Sequence, residues 1–198
     1  MEATISESPL NTTPRAFGTP RNPSWRPSRF HNRTPSSPVV ATVWASAAIP
    51  HEAGRVNLAS GRWASLTSFN SAQAAALALP PVEEFWFTSS RGKRIHSFVV
   101  RPPGFDPQKK YPLFVVMHGG PHSMFRDDFV LRWNYHLLAQ PGYVVLLTNY
   151  SGSTGFGEAF AQSIQGDPLE GPAQEINEAA DEAIRRYAFV DGSRQAAG

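Results

Sequence analysis

The sequence predicts an α/β protein in which parallel strands joined by crossover helices follow an antiparallel hairpin. Three observations carry that prediction. Residues 113–117 form an unbroken apolar run bounded by Pro112 and Gly119, the pattern of a strand covered on both faces. A second apolar run, residues 143–147, follows a stretch with helical spacing of its large side chains. A third segment, residues 172–187, has an amphipathic helical stripe. Strand, helix, strand, helix in that order is the signature of a parallel sheet.

Composition bounds the function classes. A chain of 198 residues can hold one domain of ordinary size, and 41% hydrophobic residues suffice for a core. A net charge of +2 is too small to argue for a nucleic-acid partner. With no cysteine, disulfides, thiol catalysis and cysteine-ligated metal sites are excluded. No apolar run is long enough for a transmembrane helix, so no membrane partner is expected. The N-terminus lacks the charged start and apolar core of a secretory signal, which predicts a cytoplasmic chain.

Residues 1–50 read as a disordered leader rich in proline, serine and arginine. Its five arginines (Arg15, Arg21, Arg26, Arg29 and Arg33) face only two acids, Glu2 and Glu7. Such a segment buries too little apolar surface to offset its ordering entropy. An organelle transit peptide and a nucleic-acid-binding tail are its two functional readings, and a leader without function is preferred to both.

The elements that follow justify themselves in order. Residues 55–67 alternate loosely around Val56, Leu58, Trp63 and Leu66, with a turn at Ser60-Gly61, which predicts a hairpin. Residues 71–79 are alanine-rich and predict a short helix stopped by Pro80-Pro81. Residues 84–88 and 95–100 predict a second hairpin around Ser89-Ser90-Arg91-Gly92-Lys93. A helix is predicted over 125–139 from Phe125, Phe129 and Trp133 at fourfold spacing, ending at Pro141-Gly142. In the last helix, Pro172 suits the first position, and Ile176, Ala180, Ala183, Ile184 and Tyr187 form the apolar stripe. Glu175 and Glu178 near its start and Arg185 and Arg186 near its end are read as a solvated face that complements the helix dipole.

The chemistry concentrates in two glycine-rich turns. His118-Gly119-Gly120-Pro121 leaves one predicted strand, and Asn149-Tyr150-Ser151-Gly152-Ser153-Thr154-Gly155-Phe156-Gly157 leaves the next. Adjacent parallel strands bring both turns to one sheet edge, where open α/β sheets place their ligands. Neither turn is a phosphate-binding loop, because neither carries the required lysine or dinucleotide fingerprint. A metal reading of His118 and His122 needs a helix between them, which Gly119-Gly120-Pro121 opposes. No metal and no cofactor is expected.

This pair of turns, with Arg132-Trp133-Asn134 between them and Gly166-Asp167 after, resembles the catalytic domain of the prolyl oligopeptidase family of serine peptidases. It is most similar to the acylaminoacyl-peptidase and dipeptidyl-peptidase branch. The resemblance covers residues 82–198. It implies an α/β-hydrolase sheet, of which this chain would hold the N-terminal half, and peptide substrates cleaved near their N-terminus. The hairpin at 55–67 is similar to a blade repeat of the family's β-propeller, so residues 51–81 read as a propeller remnant and linker. The resemblance also implies a Ser-Asp-His triad with its serine in Gly-x-Ser-x-Gly. That motif is absent from all 198 residues. Val190-Asp191-Gly192-Ser193-Arg194 reads as the approach to the strand that would bear it.

No catalytic residue is therefore assigned in this chain, and the triad is expected after Gly198. The family's first turn serves the oxyanion hole, which assigns Gly119 and Gly120 as donors, with Gly120 preferred. His118, Pro121, Asn149 and Tyr150 are assigned as residues lining the site. Many family members carry arginine where this chain has Ser151, which questions any charge contact there. The reading is thus a truncated, inactive serine peptidase, with periplasmic or secreted locations left open for the parent enzyme. The alternative is a non-catalytic fragment that self-associates or aggregates through an exposed strand edge at residues 112–117.

Overall fold

The computed structural model describes residues 38–77 and 79–198. Residues 1–37, most of the expected leader, lie outside the described residues. The remainder of that leader is a correction. Val39–Ser46 forms β1 and Ile49–Asn57 forms β2, paired antiparallel from Val39 opposite Asn57. Trp63–Ser65, β3, adds the third strand, with Val56 opposite Trp63. The predicted hairpin is thus the second half of a three-stranded sheet. Its edge-to-face Trp44–Trp63 pair, 4.4 Å between centroids, joins β1 to β3 across β2. Sequence reading missed β1 because Pro35 and Pro38 lead into it and the segment before Val39 has few aliphatics. Its core is made of tryptophan and cross-strand pairing instead. Ser71–Leu77, α1, follows as expected.

The second sheet has five strands: β4 (Glu83–Thr88), β5 (Arg94–Val100), β6 (Tyr111–Val116), β7 (Val144–Asn149) and β8 (Val190–Ala197). Their spatial order is β4-β5-β7-β6-β8. The β4–β5 hairpin is antiparallel and joins β7 antiparallel, whereas β7, β6 and β8 run parallel. This is the predicted mixture of hairpin and parallel strands. Every residue of β7 is buried, as its central place requires.

The short α3 (Glu158–Gln162) follows the turn that leaves β7, and two other helices divide the core between the sheet faces. On one face α4 (Glu170–Arg186) sets Ile176, Ala179, Ala180 and Ala183 on Val99, Leu113, Val115, Val144 and Leu146. On the other face α2 (Tyr135–Ala139) packs with Phe98, Val100, Val145 and Leu147. Ala47, at the tip of the β1–β2 hairpin, is buried in that second cluster. Its N–H donates to Asp127 Oδ1 at 2.6 Å, seating the small sheet against the large one.

Four expectations are corrected. The helix predicted over 125–139 survives only as α2, because residues 123–134 spend their hydrogen bonds elsewhere. Phe125 N–H goes to Asn149, Trp133 adopts φ 57° with its ring exposed, and Asn134 begins the helix by accepting from the His136 and Leu137 N–H groups. The last helix starts at Glu170, so Pro172 is its third residue. Residues 112–117 are no edge, since β6 lies between β7 and β8, and β8 takes the outer position. Residues 190–198 are more than an approach to a strand. They form it, with a register break opposite Pro112, which has no N–H for the ladder.

Candidate active site

Because β6 and β7 are adjacent and parallel, with Val116 opposite Leu147, both glycine turns leave the same sheet edge. The first turn is exposed at Gly119 and Gly120. Gly120 has φ 130°, and a Cβ there would meet His122 N at 3.0 Å, so both backbone and space require glycine. Among the described residues neither the Gly119 nor the Gly120 N–H has a protein acceptor. Two exposed amide donors at a turn held open in this way can receive an anionic oxygen.

The side chains around the turn are mutually fixed. The His118 ring stacks on Tyr150, 4.5 Å between centroids and 14° between planes, and meets Phe125 edge-on at 5.1 Å. Tyr150 Oη donates to the His118 carbonyl. His118 Nδ1 lies 3.2 Å from the Gly119 carbonyl, which fits an Nδ1–H donor and leaves Nε2 to accept from Ser153 Oγ at 2.9 Å. Burial pushes the His118 ring below its ordinary pKa, and burial likewise pushes the Tyr150 phenol up. His118 is therefore a neutral wedge between the turns, with both ring nitrogens occupied. His122 instead lies exposed, with Nε2 3.2 Å from the Ala161 carbonyl.

Asn149 works below the turn. Fully buried, it accepts from Phe125 N–H at 2.8 Å through Oδ1 and donates to Phe125 O at 3.1 Å through Nδ2. The same Nδ2 lies 3.1 Å from His96 Nδ1, which ties β5 to the site. Pro121, joined to Gly120 by a cis peptide, borders an apolar cleft of about 270 Å³ with Met117, Tyr150, Ile164 and Leu169.

Three participants escaped the sequence reading: Ser153, Lys93 and Glu175. Glu175, read as part of a solvated helix face, is completely buried, a correction with a clear cause. Its carboxylate accepts from Ser151 N–H and Ser151 Oγ–H, each at 2.7 Å. Lys93, from the β4–β5 turn, donates to Ser151 Oγ at 2.8 Å. The signal available in the sequence was the short Ser151 itself, at a position where the resemblance leads one to expect arginine. Asp167, of the Gly166-Asp167 pair, accepts from the Gly171 N–H at the start of α4 and pairs with Arg91 at 2.6 Å. Among the described residues no helix is long and apolar enough to cross a membrane.

Fold and turns together define the α/β class to which the sequence pointed, and comparison with known proteins adds a family match over part of the chain. Residues 129–198 match the prolyl oligopeptidase family. Among curated proteins it is similar to dipeptidyl-peptidase 5 of Schizosaccharomyces pombe, 36% identical over 115 residues that span 58% of this chain and 17% of that protein. Dipeptidyl-peptidase 5 of Porphyromonas gingivalis is 33% identical over 146 residues, 74% of this chain and 21% of that protein. The chain thus spans about a fifth of the length of the curated relatives it matches. Among solved structures, Pyrococcus horikoshii acylaminoacyl peptidase aligns with TM-score 0.68 at 25% identity, over 79% of this chain and 25% of that one. Porphyromonas gingivalis dipeptidyl peptidase 4 shares the fold with TM-score 0.62 at 24% identity, over 81% of this chain and 23% of that one.

Proposed function

We propose that residues 82–198 form the oxyanion side of a serine-peptidase site that acts near the N-terminus of short peptides. Residues 51–81 are a propeller-type remnant and linker in this reading. Gly120 N–H, with Gly119 beside it, donates to the carbonyl oxygen as it becomes anionic. His118, Pro121, Asn149 and Tyr150 line and stiffen that turn. One observation carries the reading: two unengaged amide donors on an exposed turn, locked to the neighbouring glycine turn through His118 and Ser153. The related dipeptidyl-peptidases and acylaminoacyl peptidase support the substrate class.

The 198-residue polypeptide contains no Gly-x-Ser-x-Gly, so it holds donors without the nucleophile they would assist. It should neither cleave dipeptidyl or aminoacyl chromogenic substrates nor react stoichiometrically with a fluorophosphonate. Labelling abolished by replacing one serine would refute that. The donor role is tested by grafting residues 82–198 in place of the matching stretch of the Schizosaccharomyces pombe relative. Gly120→Ala in an active graft should lower kcat by about 10²–10³ with KM little changed, the usual loss when one oxyanion donor is displaced. Unchanged kcat would remove Gly120 from the mechanism.

A second reading is favoured by β8. Its residues 193–197 are exposed, and among the described residues no strand pairs with its outer side. We propose that this edge, rather than residues 112–117, is where two copies of the chain associate.

A further inference from the structure

Glu175 is a carboxylate with no access to solvent, on the second turn of α4, directed at the turn that leaves β7. Burying a charged carboxylate is unfavourable unless hydrogen bonds and an opposite charge accompany it. Ser151 supplies the hydrogen bonds but has no charge to offer. Lys93 Nζ stands 2.8 Å from Ser151 Oγ and 3.9 Å from Glu175 Oε1, the cation within ion-pair range of this group among the described residues. The donors run in one direction: the ammonium donates to the hydroxyl, and the hydroxyl donates to the carboxylate.

The position of Lys93 is set by its own turn. Residues 89–93 are fastened to α4 and the segment before it at two further points. Ser90 N–H donates to Glu178 at 2.9 Å, and Arg91 pairs with Asp167 at 2.6 Å. The ammonium is thus delivered to Ser151 from the β4–β5 turn, in a hairpin already anchored on the helix that carries Glu175. From Ser151 the chain passes to Gly152, whose φ of 99° and close approach to Ile164 admit no side chain. It then reaches Ser153, whose hydroxyl holds His118 in the first turn. Thr154 N–H closes on the Ser123 carbonyl at 2.9 Å.

We propose that Lys93 is a positioning residue for the oxyanion side of the site, supplying through Ser151 the charge that lets buried Glu175 hold the second glycine turn against the first. It replaces from β5's side of the hairpin the arginine that the resemblance leads one to expect at position 151. That the held turn serves an oxyanion hole rests on the function proposed above. The Lys93–Ser151–Glu175 link does not, and it is measured without substrate.

The test uses the full 198-residue chain and NMR, reading amide exchange and the His118 ring titration. Lys93→Met should speed exchange at the Ser151 and Ser153 amides at least tenfold and raise the His118 midpoint toward that of an exposed histidine. Core amides of β5 and β7 should be unaffected. Adding Ser151→Arg to Lys93→Met should restore both readouts, because the guanidinium takes the volume and the charge that Lys93 gave up. Unchanged exchange in Lys93→Met, uniform acceleration throughout the core, or no rescue by arginine would each overturn the proposal. If Lys93→Met alone does not fold, folding of the Lys93→Met/Ser151→Arg chain supports it and failure of both overturns it. A peptidase reading that fails in the graft leaves these exchange results intact, so the two failures are distinguishable.

Discussion

At the scale of single residues, the site is held by side chains whose neutral forms are the ones that fit. His96 is buried behind Asn149, and burial lowers its pKa from 6.5 against the opposing pull of Glu84, whose Oε2 lies 3.3 Å from Nε2. Protonating Nδ1 would also set it against the Asn149 amide donor. His118 is lowered from 6.5 by burial in the same way. For both rings the folded pKa lies below the unfolded one. Their contribution to stability is therefore complete above pH 6.5 and is lost as pH falls below it, because the unfolded chain takes up protons first. The urea midpoint should drop between pH 7.5 and 5.5, and His96→Gln should flatten that slope. A midpoint independent of pH in this window would contradict the assignment of neutral rings.

At the scale of elements, β7 is the strand on which the others depend. It lies between β5 and β6, feeds the second glycine turn, and contributes alternate side chains to two separate clusters. Leu146 is fully buried beneath α4, so Leu146→Ala should cost about 2–5 kcal/mol in chemical denaturation, from lost transfer energy plus the cavity. Leu131, 86% exposed in the irregular stretch before α2, is the control. Leu131→Ser should change stability by no more than about 0.5 kcal/mol. Had residues 125–139 been one helix with its stripe against the sheet, the apolar positions in that stretch would behave as core. The exposed Trp133 and Leu137 show that they do not. The apolar spacing there came from residues with separate duties: Phe125 packs on His118 and Tyr135, while Trp133 turns outward at a left-handed backbone position.

At the scale of the whole molecule, the described residues combine a small antiparallel sheet with a mixed sheet whose outer strands are β4 and β8. The seat between the two sheets is specific. The tip at Ala47 is buried in the cluster on the α2 face, and His51 comes within 3.5 Å of Asp128. The β8 edge carries small and polar residues (Ser193, Gln195, Ala196, Ala197) with a single cation, Arg194, engaged by Asp191. Few charges guard that edge against pairing with another strand. Size-exclusion elution should shift to larger species as concentration rises, and Ala197→Lys should reverse the shift. A monomer at every concentration would exclude association through β8.

Much of this was legible in the sequence because it is written in local physics. Unbroken apolar runs announce buried strands, an amphipathic stripe announces α4, and paired glycines mark the places where the backbone must take angles closed to other residues. The juxtaposition of His118-Gly119-Gly120-Pro121 with the turn at 149–157 followed from parallel order alone. What escaped was decided by contacts between residues far apart in the chain. Glu175 looked like any acid on a helix surface until Ser151, 24 residues earlier, and Lys93, on another hairpin, enclosed it. No spacing rule encodes a charge buried by a neighbour from a different strand. Only the packed sheet determines which carboxylate loses its water, and therefore which lysine must stand beside it.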